Sequence, residues 1–320
     1  MTSELSSLCS YAKGKVSVDT LSKRNYVSTE NMMPHKGGIV DAGALPSAQY
    51  TQQYIKDDIL VSNIRPYFKK IWMADDDGGC SNDVLVFRAD RGCDSTFLYY
   101  ILANDAFFNY ASATSKGTKM PRGDKTAIMQ YKVPCFNYET QLRIGKLLRS
   151  IDDRIAVNKK INDNLQQQLF SLYENMATAS PCLKEYTLSN LCDFQEGYVN
   201  PPQTHPEYFD GEVKWLRAVD INESFIIETS RTLTKAGFES AKKSALLFEP
   251  NTIAISKSGT IGRLGIIADY MCGNRAVINI APHDTNMLAF IYCFLKSKQR
   301  EFPDMAVGSV QKNLYVSLLE

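Results

Sequence analysis

Several features that would place this 320-residue chain in a membrane or outside the cell are missing from its sequence. No apolar run approaches the ~20 residues that a membrane-spanning helix needs, and the closest, Leu288–Leu295, is far too short. The opening segment MTSELSSLCSYAKGK lacks the charged-then-apolar pattern of a secretory signal. With 44% hydrophobic and 22% charged residues, the composition is that of a globular protein, and a cytoplasmic location is expected.

The chain also lacks the patterns of metal and disulfide sites. Its eight cysteines, at positions 9, 80, 93, 135, 182, 192, 272 and 293, include no C-x-x-C pair, and only three histidines could assist them. Since no secretory signal is present, we expect reduced, structural thiols and no metal.

Signatures of catalysis are equally scarce. No G-x-x-x-x-G-K-[ST] phosphate loop occurs, which excludes ATP-driven translocation by this chain. NPPQ (Asn200–Gln203) resembles the motif with which adenine methyltransferases hold a flipped base, but Gln203 replaces the required aromatic residue. The run Asp75–Asp77 lacks the spaced ligands of a calcium loop and is interpreted as an exposed acidic turn. A self-contained methyltransferase remains the catalytic alternative, although no glycine-rich cofactor loop supports it.

Net charge is low, at +1, so the overall field does not indicate nucleic-acid binding. One local exception is the segment 116–132, where five cations face the single carboxylate of Asp124. These cations are Lys116, Lys119, Arg122, Lys125 and Lys132. Such a run is either a solvated face or a binding patch.

The two halves of the chain repeat one another. Five pairs of segments occur in the same order, at separations from 183 residues (Leu5 to Leu188) to 194 residues (Asp57 to Asn251). The pairs are LSSLC and LSNLC, DDILVS and NTIAIS, CSNDVLVF and CGNRAVIN, FLYYIL and FIYCFL, and GTKM and GSVQ. Two homologous domains in tandem are predicted.

Within each repeat the pattern is mixed. The runs ILVSNI, DVLVFRA, IAISKS and AVINIA predict strands, and FLYYILAND and MLAFIYCFLKSK predict helices. Because strands and helices do not alternate regularly, the fold class predicted for both domains is α+β.

Between the repeats lies a long helix with a narrow apolar stripe. Its stripe residues are spaced mostly by three and four, as in a coiled coil. They are Ile144, Leu148, Ile151, Ile155, Ile161, Leu165, Leu169, Leu172 and Met176, with Asn158 at the position where the stripe would continue. Asn158 either fixes the register of a buried seam or faces solvent. From Ile144 to Met176 the helix would extend about 50 Å, and so narrow a stripe needs a second helix to cover it.

The segment LRIGKLLRSIDDRIAVNKKINDNLQQQLFSLYENM (Leu142–Met176) resembles the central conserved helix of type I restriction–modification specificity subunits. The preceding VPCFNYETQ and the later IAISKSGTIGRLGI are also typical of that family. The resemblance implies a first target-recognition domain at 1–137, a spacer helix at 138–179 and a second target-recognition domain at 180–320.

The resemblance further implies a non-catalytic DNA-binding subunit that reads a split double-stranded target. Two adenine methyltransferase subunits and a restriction and translocation subunit would be its partners. S-adenosylmethionine, ATP and Mg²⁺ would be bound by those partners, and no cofactor is expected on this chain.

One departure from the family concerns the distal helix that normally follows the second domain. The sequence ends at Glu320, about 50 residues earlier than the first repeat would lead us to expect. Either another chain supplies the missing helix, or the protein is a truncated or phase-variant subunit that folds without assembling an active complex.

Candidate DNA contacts are polar and basic residues at matching places in the two repeats, where loops follow strands. In the first repeat they are Asn63, Arg65, Lys69, Lys70, Lys116, Thr118, Lys119 and Arg122. In the second they are Lys257, Ser258, Thr260, Arg263, Ser309, Gln311 and Lys312. Each would contact a base, contact a phosphate or remain solvated. Tyr67, Phe68 and Trp72 are expected in the core instead.

Overall fold

The structure, a computed structural model, describes residues 2–179, 184–308 and 312–320. The chain divides into two compact units, residues 1–161 and 162–320, and the boundary falls inside the long helix.

Between residues 2 and 161, the first unit contains ten strands and the beginning of that helix. Strands β1–β10 are Thr2–Glu4, Cys9–Tyr11, Lys15–Ser17, Tyr26–Val27, Tyr50–Tyr54, Ile59–Ser62, Ile71–Met73, Gly78–Cys80, Val84–Ala89 and Lys132–Pro134. Helices α1–α4 are Ser95–Leu102, Asp105–Ala113, Lys125–Met129 and Tyr138–Ala179.

Two four-stranded sheets form the body of the first unit, in the orders β2-β9-β6-β7 and β3-β5-β8-β4. Strand β6 is buried along its whole length because both of its faces are covered. Ile59 and Val61 pack into the cluster that contains helices α1 and α2, whereas Leu60 packs into a second cluster on the opposite face. This double burial explains why ILVS is a continuous apolar run rather than an alternating one.

In its described residues, the second unit is built from eight strands and three short helices. Strands β11–β18 are Cys192–Glu196, Phe209–Leu216, Phe225–Ile226, Thr232–Leu233, Thr252–Ser256, Leu264–Ile267, Cys272–Gly273 and Val277–Pro282. Helices α5–α7 are Lys235–Glu239, Leu288–Lys298 and Phe302–Met305.

The main sheet of the second unit, β11-β18-β15-β16-β13, repeats the strand order of the first unit's β2-β9-β6-β7 and adds one edge strand. The same division of side chains recurs, since Ile253 and Ile255 of β15 pack on one face and Ala254 on the other. A short parallel pair also recurs, β4 with β8 in one unit and β12 with β17 in the other. The tandem repeat and the α+β class are therefore confirmed.

The first part of α4 packs closely on the first unit. Asn137 Oδ1 accepts the amide of Thr140 at 2.8 Å, which caps the helix. The side chain of Gln141 is buried and accepts the amide of Asp94 at 3.1 Å. A Cβ at Gly145 would lie 2.8 Å from Asp94 Oδ1, so only glycine permits this approach.

The last turns of α4 belong to the second unit. Phe170 packs against its largest apolar cluster, and the ring of Tyr173 lies 5.3 Å from that of Phe290. The predicted long helix is thus a single element that contributes side chains to each unit's core.

Cysteine behaves as a small apolar residue here. The seven cysteines in the described part of the chain are free thiols, and five of them are buried. Burial raises the pKa of Cys80 to about 12, which keeps this thiol protonated and inert. Over the same residues, no cluster of three metal-ligating side chains occurs, and no helix is both long and apolar enough to span a bilayer.

Candidate nucleic-acid interface

In the first unit, backbone hydrogen bonds bring three loops together at the end of β6. Asn63 donates its amide to the carbonyl of Asp83 at 2.8 Å, and its own carbonyl accepts the amide of Gly123 at 3.1 Å. Arg65 donates to the carbonyl of Pro121 at 2.8 Å. The loops around residues 65, 82 and 120 therefore form one continuous surface.

The second unit repeats this frame with different residues. Lys257 donates its amide to Ala276 at 2.7 Å, and its carbonyl accepts the amide of Leu314 at 2.9 Å. In each unit, a pair of reciprocal backbone hydrogen bonds closes the neighbouring loop. These bonds join Lys116 with Arg122 in the first unit and Val307 with Asn313 in the second. The predicted correspondence of GTKM with GSVQ is confirmed at its glycine, since Gly117 and Gly308 both have positive φ.

The loop around Gly117 carries the most accessible cations of the first unit's interface. Lys116 is paired with Asp124 at 2.5 Å, yet its side chain remains 81% exposed. That ammonium group holds the pKa of Asp124 below its usual value. Arg122 contacts Asp83 at 2.9 Å, and Thr118 and Lys119 are exposed. These side chains can reach phosphates or base edges with little rearrangement.

Other predicted contacts in the first unit are less accessible. Asn63 is buried, and its Oδ1 has no hydrogen-bond partner among the described atoms. Lys69 pairs with Asp105 at 2.9 Å, and Lys70 donates to the carbonyl of Thr29 at 2.6 Å. Partial burial lowers the pKa of Lys70. These contacts hold the loop in shape, and the side chains of Lys69 and Lys70 remain partly exposed.

The loop after β15 is arranged differently. Ser256 Oγ donates to the carbonyl of Thr260 at 2.5 Å and accepts the amide of Arg263 at 2.8 Å, which closes the loop on itself. Lys257 pairs with Glu196 at 2.8 Å, with its side chain only 13% exposed. Its ammonium group also lies 5.1 Å from the ring of Tyr315.

The remaining predictions in the second unit lie at the rim of this loop. Thr260 and Lys312 are exposed, and Ser258 and Arg263 are half-buried. Ser309 and Gln311 lie outside the described residues.

A lysine-lined groove next to the first unit's loops was not predicted. Its volume is about 360 Å³, and Lys13, Lys15 and Lys125 line it together with Tyr50 and Asn82. No carboxylate occurs among the described residues that line it. The signal in the sequence is the pair of lysines that flank Gly14, and this pair has no counterpart in the second repeat.

Two further segments singled out in the sequence form local hydrogen bonds. The NPPQ segment is a loop in which Gln203 Oε1 accepts a hydrogen bond from Arg231 at 3.1 Å. Asp75–Asp77 form an exposed turn, and Asp77 caps the amide of Lys56 at 2.8 Å. The interpretation of Asp75–Asp77 as an exposed acidic turn is confirmed.

The predicted stripe on α4 is largely exposed. Ile144 packs against the core of the first unit, and Leu148 and Leu169 are half-buried, whereas the other stripe residues are open. The exposed members are Ile151, Ile155, Asn158, Ile161, Leu165, Leu172 and Met176. An apolar stripe of this length indicates an interaction surface.

Comparison with known proteins decides the family. The family model of the type I restriction modification DNA specificity domain matches residues 2–167 and 183–320. The chain belongs to this family. Its two domains are therefore DNA specificity domains of a type I restriction–modification system, and the resemblance carried by the long helix is confirmed.

A solved structure agrees with this assignment at the level of the fold. The chain is similar to the S subunit of a type I restriction–modification system from M. genitalium, at 19% identity and a TM-score of 0.61, over 100% of this chain and 82% of that one. It also matches the HsdS subunit of Thermoanaerobacter tengcongensis at 17% identity and a TM-score of 0.42, over 98% and 84% of the two chains. A chain from a study of type I R-M complex assembly and conformational transition gives 18% identity and 0.44, over 94% and 80%.

Proposed function

We propose that this chain is the subunit that reads a bipartite double-stranded DNA target, with each unit recognising one half. The observation that carries the proposal is the repeated frame. The same strand, the same backbone bonds and the same bridged loop occur twice, but the side chains they display differ. Two domains that share one architecture but display different side chains suit a DNA target that has two different halves.

The side chains displayed by these loops divide into two roles. Lys13, Lys15 and Lys125 line a groove without carboxylates, which suits contact with the sugar–phosphate backbone. Candidates for base contacts carry forked or small polar groups. In the first unit these are Arg65, Thr118 and Arg122, and in the second Ser258, Thr260 and Arg263, whereas the exposed lysines Lys119 and Lys312 suit contacts with phosphates.

The chain itself supplies recognition and no chemistry. The described sheets are antiparallel apart from short parallel pairs of two residues, unlike the parallel sheet on which nucleotide cofactors bind. Two adenine methyltransferase subunits and a restriction and translocation subunit would act on the DNA, with S-adenosylmethionine, ATP and Mg²⁺ bound by those partners. The exposed stripe of α4 would contact them or a helix of another chain.

The test is to co-express the chain with the methyltransferase encoded beside it and to map methylated adenines across the host DNA. We expect a split motif with a fixed gap. Replacing residues 1–137 with the corresponding domain of another specificity subunit should change one half of the motif and preserve the other. A replacement that changes both halves, or neither, would contradict the proposal.

A further inference from the structure

The turn between β6 and β7 is conformationally unusual. Pro66–Phe68 form one short 3-10 turn, and the residues on either side are both left-handed, with φ of 51° at Arg65 and 52° at Lys69. This conformation is disfavoured for residues that carry a Cβ, so the surrounding structure must hold it in place. Such residues concentrate at functional sites.

Contacts from two directions hold this turn. Phe68 and Lys69 each accept a backbone amide at 2.8 Å, from His35 and Lys36 respectively. Asp105, at the start of α2, accepts Lys36 at 2.7 Å and Lys69 at 2.9 Å. The turn also packs against α2. Its shape is therefore fixed before any ligand binds.

What this rigid turn displays is a pair of aromatic rings. Tyr67 is 50% exposed and Phe68 is 36% exposed, with ring centroids 4.8 Å apart. The expectation that both belong to the core is wrong for these two residues. Two large apolar side chains held side by side in water indicate a surface that becomes covered by a partner.

The charges around the rings show what kind of partner fits. The rings are flanked in sequence by Arg65, Lys69 and Lys70. Lys36 lies beside this group because its backbone amide donates to the carbonyl of Lys69. Among the described residues, the carboxylate that forms ion pairs with this group is that of Asp105, and it is shared between two lysines. Arg65 also ties the turn to the basic loop around Lys119 through Pro121. Aromatic faces surrounded by cations match the bases and phosphates of a nucleic acid.

We propose that Tyr67 and Phe68 stack on a base step that the first unit opens in its half of the DNA target. The inference rests on the proposed function and adds a contact that hydrogen-bond reading does not supply. The loop at the corresponding place in the second unit, residues 257–263, contains no aromatic side chain. The proposed distortion therefore lies in the half-site read by the first unit.

The experiment uses the full chain with its methyltransferase partner and a duplex bearing the target found by methylation mapping. Replacing Tyr67 and Phe68 together with alanine should weaken binding about 5- to 150-fold, the range for removing the aromatic partner of one stacked base. The slope of log K against log salt should not change, because no charge is removed. Tyr67→Phe and Phe68→Tyr should bind nearly as the native chain does. Tyr138→Ala, also 50% exposed and in the first unit, is the matched control.

A second measurement reports the distortion directly. With 2-aminopurine placed at successive positions, the native complex should show increased fluorescence at one step of the first half-site, and the double variant should not. Equal affinity and equal fluorescence for native and variant complexes would overturn the inference while leaving the proposed function intact. Loss of the methyltransferase with duplex binding retained would assign the rings to a protein partner and would also overturn it. Absence of duplex binding by the native complex would contradict the proposed function instead.

Discussion

The turns that follow β6 and β15 occupy the same place in two copies of one frame, yet they hold their shape by different means. After β15, Gly259 and Gly262 take the positive φ angles, and Ser256 bonds across the loop. After β6, Arg65 and Lys69 take those angles, and Asp105 on a helix holds the turn from outside. The loop after β15 is held by bonds within the loop itself, and it displays small polar side chains. The turn after β6 is held by contacts with other segments, and it can therefore display large side chains.

Among the substitutions that test this contrast, Gly262→Val should have the largest effect on stability. The φ of Gly262 is +84°, and a Cβ there would lie 3.0 Å from the Cβ of the buried Phe302. Gly262→Val should destabilise the second unit by about 3 kcal/mol, from left-handed strain together with crowding. Urea unfolding measures this destabilisation, and hydrogen exchange of the amides in residues 257–263 reports its effect on the loop.

Gly259→Val is the matched control for that substitution. Its φ is +76°, but nothing lies within 4 Å of the Cβ position. It should cost about 1–2 kcal/mol, from the backbone alone. Equal destabilisation at the two positions would show that packing against Phe302 contributes nothing.

A smaller effect concerns pH and only the first unit's turn. Lys36 and Lys69 lower the pKa of Asp105 to about 2, from an ordinary value of 3.8. Because the folded pKa is depressed, the stabilisation is present above pH 4 and disappears as pH falls from about 4 to about 2. Carboxyl ¹³C shifts of Asp105 and amide shifts of Lys36 and Lys69 should move together in that range.

The same titration has an internal control. Amides of the glycine loop, such as Thr260, should not follow the Asp105 transition, and Asp105→Asn should remove it from the first unit. An Asp105 carboxyl that titrates near its ordinary value would show that the two lysines do not anchor the turn in solution.

Much of the fold could be predicted because it depends on local periodicity and on repetition. The runs ILVS and TIAIS are continuous and apolar since both faces of β6 and β15 are covered, and the stripe on α4 has the spacing of a helix. The display of Tyr67 and Phe68 could not be predicted. Their exposure depends on Asp105, nearly forty residues away in sequence, and on backbone bonds from His35 and Lys36.

The same limit applies to individual lysines. Residue type and position relative to a strand placed Lys119 and Lys257 in one class, as candidate DNA contacts. Only the structure shows that Lys119 is exposed while Lys257 is held by Glu196, which lies on a different strand. An ion pair between residues that are distant in sequence cannot be recognised from the local sequence.

The smallest effect separates those two lysines. Removing one lysine–phosphate pair reduces the slope of log K against log salt by about one, so Lys119→Ala should lower the slope and weaken duplex binding. Lys119→Arg should preserve it. The double variant Glu196→Gln with Lys257→Met, which removes both charges of the buried pair, should leave the slope unchanged because neither charge faces the DNA. A lower slope in the double variant would place Lys257 on the DNA after all and would erase the distinction between the two loops.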